Sequence, residues 1–247
     1  MEAVTLTVTD GTAEVWLDRP ARLNAVTPGL VDDLLAALGR LATDSEVRAV
    51  VLAGRGRAFC AGHDLKQPPP QGDSRARLER LQQVTRALRA LPQPVIAAVH
   101  GYAIGAGAEF ALGCDLVLAA EDAVFGFPEA GLGLSVTGAA SRLLPLLVGT
   151  LRAKELLLFG ERIDAARAAS IGLVNAVVDG ERLLEHAREW ARRLADKPAA
   201  AVTLAKRAVD SGVDATVEGA LELEVSHALL TEHSPDVARA TEEFRSR

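Results

Sequence analysis

Val95-Ile96-Ala97-Ala98-Val99-His100-Gly101-Tyr102-Ala103-Ile104-Gly105-Ala106-Gly107-Ala108-Glu109 is the stretch that decides the fold. Its first five residues are apolar and lie just after Pro92 and Pro94. A run that short, bounded by breakers, reads as a strand buried on both faces rather than as a helix. A glycine-rich turn follows, and Gly105 to Leu112 then reads as a short helix built from small residues. Val47 to Leu52, ending in Gly54-Arg55-Gly56, gives a second buried strand with its own glycine turn, and Leu116 to Ala119 a third. Val124-Phe125 reads as a short fourth. Strand, glycine turn and helix recur in this order, which predicts an α/β fold with parallel strands.

Outward from that centre the signals are local. Thr5-Leu6-Thr7-Val8 and Ala13-Glu14-Val15-Trp16-Leu17 alternate around Asp10-Gly11, a hairpin signature. Thr27-Pro28 opens an amphipathic helix through Leu30, Leu34, Leu35, Leu38 and Leu41, with proline in the first turn. Arg77 to Leu91 predicts a polar-faced helix, and Gln67-Pro68-Pro69-Pro70-Gln71-Gly72 cannot be helical. After Asp196-Lys197-Pro198 the chain reads as wholly helical. Val217, Leu221, Val225 and Leu229 form an apolar stripe there, suited either to a neighbouring subunit or to the chain's own core. This divides the chain into a core over 1–195 and a helical region over 196–247. No repeat of fixed period is present.

Composition narrows the classes. Of 247 residues 49% are hydrophobic and 24% charged, so a core of Ala, Val and Leu can form although aromatics are only 4%. A net charge of −6 without a basic block argues against a nucleic-acid surface. The apolar runs are too short to span a membrane, and the N-terminus lacks the pattern of a secretory leader. Cys60 and Cys114 match no metal or redox spacing and read as small buried hydrophobes. A reduced, cytoplasmic setting is expected.

Two carboxylates carry the chemistry. Glu109 follows the glycine turn above, and Glu129 lies in Phe125-Gly126-Phe127-Pro128-Glu129-Ala130-Gly131-Leu132-Gly133, almost free of other charge. A carboxyl among apolar neighbours is hard to ionise, which moves it toward the range useful for proton transfer. Two such groups in one pocket can divide the roles of acid and base. Phe59-Cys60-Ala61-Gly62 and Gly101 to Gly107 are glycine turns after two different strands. Main-chain N–H groups aimed from them at one point would stabilise an oxyanion. Each turn alone reads equally well as close packing. A dinucleotide fingerprint at Gly105-Ala106-Gly107 is disfavoured, because Phe110 stands where the third glycine is needed.

Taken together, these segments resemble the crotonase (enoyl-CoA hydratase/isomerase) superfamily over essentially the whole chain. The resemblance is carried by Arg19-Pro20-Ala21-Arg22-Leu23-Asn24-Ala25, Ala58-Phe59-Cys60-Ala61-Gly62-His63-Asp64-Leu65 and Gly101 to Glu109. Cys114-Asp115-Leu116, Phe125 to Glu129 and Ala168-Ala169-Ser170-Ile171-Gly172-Leu173-Val174-Asn175 complete it. It implies a spiral of ββα units with a C-terminal helical region that assembles trimers or hexamers. It also implies an acyl-CoA thioester as substrate, with coenzyme A part of that substrate, and neither metal nor separate cofactor.

Carried over by position, the amides of Ala61 and Ala106 would form the oxyanion hole, with Glu109 and Glu129 the catalytic acids. Arg22, Leu23, Ala61, Gly62, His63, Asp64, Leu65 and Gly105 would line the substrate path. Family isomerases commonly need only the later carboxylate. Ala106 stands where glycine is usual, and an alanine amide still donates. Thr137-Gly138-Ala139-Ala140-Ser141-Arg142 lacks the paired glycines and glutamine of housekeeping hydratases, so substrate choice turns on that segment. The resemblance implies hydration of a 2-trans-enoyl-CoA or the reverse dehydration, with double-bond isomerisation or another crotonase-type acyl-CoA enolate reaction as alternatives; the acidic charge and the retained carboxylate pair disfavour a non-catalytic acyl-CoA binder or an RNA-binding relative.

Among other residues, His63 reads as a ligand-edge or solvated histidine and His100 as a satisfied structural group. Asp64 is expected to cap the following segment and Asp115 to hydrogen-bond at a strand edge. Arg22, Arg57 and Lys66 are candidate partners for the coenzyme A phosphates.

Overall fold

Asp10 and Gly11, both with positive φ, close the hairpin of β1 (Val4–Thr9) and β2 (Thr12–Leu17). The computed structural model describes residues 3–64 and 72–245. Thr27 caps α1 (Pro28–Ala42) by accepting from Leu30 N–H at 3.2 Å. β3 (Ala49–Gly54) then lies parallel to β2. α2 (Ser74–Ala90), capped by Asp73, leads into β4 (Val95–Val99). The chain continues through β5 (Tyr102–Ile104), α3 (Ala106–Leu112), β6 (Leu116–Ala120), β7 (Val124–Gly126), α4 (Ala140–Val148) and α5 (Thr150–Phe159). β8 (Ile163–Asp164), α6 (Ala165–Ser170), β9 (Ala176–Val178) and α7 (Leu183–Ala195) complete the core, and α8 (Ala199–Gly212), α9 (Val217–Thr231) and α10 (Pro235–Arg245) follow.

One sheet has the order β1-β2-β3-β4-β6-β9, parallel except for the hairpin, and a smaller one the order β5-β7-β8. The units β4-β5-α3 and β6-β7-α4 each give one strand to each sheet and then a helix, as the ββα reading expects. The central strands β3 and β4 of the large sheet are buried on both faces. Strand parity divides it: Val50, Leu52, Val95, Ala97 and Val99 join the main core with α1, α2 and α3. Ala49, Val51, Ala53, Ile96 and Ala98 face α7 through Leu183, Ala187 and Ala191. Alanines on both partners let helix and sheet approach closely, and each large apolar side chain buried contributes about 1.5–3 kcal/mol.

The elements from α4 to α7, over residues 140–195, lay beyond the sequence reading, and so did two further features. β5 sits inside the glycine turn after β4, because three residues are too few to show alternation. Lys206 of α8, with its side chain only 6% exposed, lies 2.8 Å from the Asp115 carboxylate and donates to the Leu88 and Gln93 carbonyls. It ties the C-terminal helices to the core.

Candidate active site

The site grows from the strand ends. Asn24, fully buried, accepts from Arg19 N–H at 2.8 Å and donates to the carbonyls of Arg55, Ala58 and Phe59. It pins residues 19–26 against 55–59. From there Cys60 pairs with Ala103 in a parallel bridge, with Cys60 N–H on Tyr102 O at 2.8 Å and Ile104 N–H on Cys60 O at 3.0 Å. A methyl group on Gly107 would lie 2.1 Å from the Cys60 carbonyl oxygen, so only glycine lets α3 sit this close.

The expectation for Ala61 is corrected here. Its N–H donates to Leu23 O at 3.0 Å and cannot serve a ligand. Two residues on, Val26 N–H donates to Gly62 O and Asp64 N–H to Val26 O, which turns both of these groups toward Val26. In extended chain, successive peptide groups point to opposite sides, so the N–H of His63 faces away from Val26. Among the described residues it has no acceptor in the backbone network. Ala106, the first residue of α3 behind an uncapped Gly105, likewise has an unpaired N–H. A methyl on Gly62 would meet Ile104 O at 2.6 Å and Gly105 Cα at 3.9 Å, so the two donor segments touch.

Glu109 lies on the first turn of α3, 2% exposed. Its Oε1 accepts from Thr137 N–H and its Oε2 from Thr137 Oγ1–H, each at 2.6 Å. Burial pushes its carboxyl above the ordinary range; the Thr137 bonds oppose this and the charge of Glu129 adds to it. Glu129, half-buried before a 3₁₀ turn, is raised in the same direction by burial. Its Oε2 is buried without a hydrogen-bond partner, and its Oε1 lies 2.6 Å from where a Cβ on Gly105 would be. The two acids therefore share one environment, next to the Gly105–Ala106 donor segment.

The other expected residues fall around this centre. Leu23 touches the site through its carbonyl, and Arg22 beside it is exposed. His63 is exposed, and the side chain of Asp64 reaches Arg19 at 3.5 Å. The segment that Asp64 was to cap, together with Leu65, Lys66 and Pro68 to Pro70, lies outside the described residues. Cys60 donates to Asn24 O and burial pushes its thiol up to about 12, which leaves no thiolate for nucleophilic work. His100 binds Gly56 O at 2.9 Å, and Asp115 accepts from Val95 N–H at 2.7 Å, as expected of both.

Comparison with known proteins gives this geometry its context. The family model for enoyl-CoA hydratase/isomerase matches residues 7–246. The chain belongs to the enoyl-CoA hydratase/isomerase family. Among its relatives, the short-chain-enoyl-CoA hydratase of Clostridium acetobutylicum is 37% identical over 86% of this chain and 82% of its own. The 1,2-epoxyphenylacetyl-CoA isomerase of Escherichia coli is 36% identical over 99% and 95%. The crystal structure of an enoyl-CoA hydratase from Bacillus anthracis superimposes with a TM-score of 0.95 at 33% identity, covering 99% of this chain and 96% of that one. That of a monofunctional enoyl CoA isomerase from M. smegmatis gives 0.79 at 40% identity, over 90% and 99%. The crotonase fold is thus established for this enoyl-CoA hydratase/isomerase family member.

Sequence reasoning missed two members of the site. His63 was placed on the substrate path, but the donor role went to Ala61, because which N–H is left open depends on the bond to Leu23, a residue 38 positions away. Thr137 was noted only as a departure, since its contact with Glu109 spans 28 residues and leaves no local signal.

Proposed function

We propose that the chain is an enoyl-CoA hydratase, adding water across the 2,3 double bond of a 2-trans-enoyl-CoA or running the reverse dehydration. The observation that carries this is the pair of carboxyls, Glu109 buried and Glu129 half-buried, both raised above the ordinary range beside one donor segment. The N–H groups of His63 and Ala106 take the thioester oxygen, and the enolate charge that develops there is stabilised by about 3–4 kcal/mol per donor. Glu109 accepts a proton from the water that adds at Cβ, while Glu129 gives one to Cα through its unpartnered Oε2. Transfer of a proton from Glu109 back to Glu129 resets the pair. The chemistry is proton transfer and charge stabilisation throughout, and calls for no separate cofactor.

Arg22 to Leu23, Gly62 to Asp64 and Gly105 line the substrate path in this reading, with Leu65 beyond the described residues. The helical region from residue 196 onward makes the contacts of a homotrimer or dimer of trimers, supported by the exposed stripe on α9. The buried free thiols of Cys60 and Cys114 fit a reducing, cytoplasmic setting.

Isomerisation of a double bond by Glu129 alone is the second reading, supported by the monofunctional enoyl CoA isomerase that the chain resembles. Incubation with crotonyl-CoA in heavy water, followed by mass spectrometry, separates the two. A product heavier by one water supports hydration. Deuterium exchange or a moved double bond without that gain transfers support to isomerisation.

A further inference from the structure

Both oxygens of Glu109 are held by one residue on a segment without local freedom. Thr137 is followed by Gly138 and Ala139, at φ +56° and +59°, and α4 begins directly after them. A methyl on Gly138 would lie 2.5 Å from Glu109 Cβ, so the backbone of this turn rests on the acid's side chain. Thr137 N–H would hold Oε1 whatever side chain stood there; the bond to Oε2 belongs to the threonine hydroxyl. From this clamp we infer that Thr137 is a positioning residue for hydration: its hydroxyl holds Glu109 aimed as the base and has no part in proton transfer by Glu129. This deepens the hydratase reading and rests on it.

The chemistry of the clamp is one-sided. Two donors fit an ionised carboxylate, which accepts at both oxygens, and fit the protonated acid less well. Burial and the charge of Glu129 push the other way. On the helices packed against α3, Arg89 of α2 is paired with Asp210 at 2.7 Å and Arg142 of α4 with Asp214, and Cys60 is a neutral thiol, so none of these offsets the loss. Removing the hydroxyl therefore raises the Glu109 pKa and frees its Oε2.

The test compares wild type with Thr137→Val, Thr137→Ala and Thr137→Ser, each measured on a 2-trans-enoyl-CoA and on a 3-enoyl-CoA across pH. The valine and alanine variants are expected to lose about tenfold in hydration kcat at neutral pH, as for a hydrogen bond to a charged group. KM should stay near wild type, and the acid limb of the hydration profile should move to higher pH. Their isomerisation should stay within about twofold of wild type, and serine should restore hydration. Alanine carries the test should valine fail to fold, and the reverse. Unchanged or faster hydration in both variants, equal loss of both reactions, or a serine variant as poor as valine would each overturn the role of Thr137. A wild type that isomerises but hydrates nothing overturns the hydratase reading beneath it as well.

Discussion

Glu129 Oε2 is buried without a partner, which in the proposed reaction leaves it for the substrate. Glu129→Gln is accordingly expected to remove all turnover, with a loss on the order of 10²–10⁴-fold or more in kcat. Glu109→Gln should depress hydration strongly and isomerisation much less; equal rates in both variants and wild type would falsify the division of roles. The pH dependence follows from burial. Hydration needs Glu109 ionised, so its rate falls as pH drops through the raised Glu109 pKa. It also needs Glu129 protonated, so the rate falls again as pH rises through the raised Glu129 pKa. Both limbs of the kcat/KM profile belong to the coupled pair and should lie above the free glutamate value of about 4.3. A profile whose acid limb sits at that value would count against the assignment. At this scale sequence revealed much: a charged residue beside glycines in an apolar run announces itself. What stayed hidden was pairing, because whether an N–H is open depends on partners brought in from elsewhere in the chain.

Elements carry their own tests. Lys206 on α8 and Asp115 before β6 form a pair whose lysine is only 6% exposed. Taking away one member of such a pair leaves a poorly solvated charge, and Lys206→Met should destabilise by about 3 kcal/mol in urea unfolding. A change under about 0.5 kcal/mol would show that α8 is held by its apolar contacts alone. Ala139 caps α4 from the left-handed region, where a Cβ is strained. Glycine there should stabilise by about 0.5–1 kcal/mol, visible as a higher Tm, after allowing for its freer unfolded chain. Up to β7 the elements themselves were largely readable, whereas α4 to α7 carried no such marks in the reading. Thr27-Pro28 and Asp10-Gly11 marked their boundaries through fixed φ and capping chemistry, and β4 runs from Val95 to Val99 as expected. β5, β8 and β9 were not, since strands of two or three residues owe their pairing to the sheet beside them.

Across the whole molecule, the order of motifs made the fold legible while each motif alone was ambiguous. The α9 stripe was open between two readings, and in the structure the chain's own core does not cover it. Leu223, His227 and Thr231 are partly buried, whereas Val217, Leu221, Val225 and Leu229 remain 50–78% exposed. Introducing charge there, as in Val225→Glu with Leu229→Glu, should convert the assembly to smaller species in light scattering without loss of helix by circular dichroism. An unaltered mass would mean that subunits meet elsewhere. Asn24 sets a last expectation. Its amide fastens two chain stretches on which the reacting geometry depends, yet it touches nothing that reacts. Heating should therefore silence the enzyme only when the entire domain melts, with the inactivation curve lying on top of the loss of helical signal instead of running ahead of it.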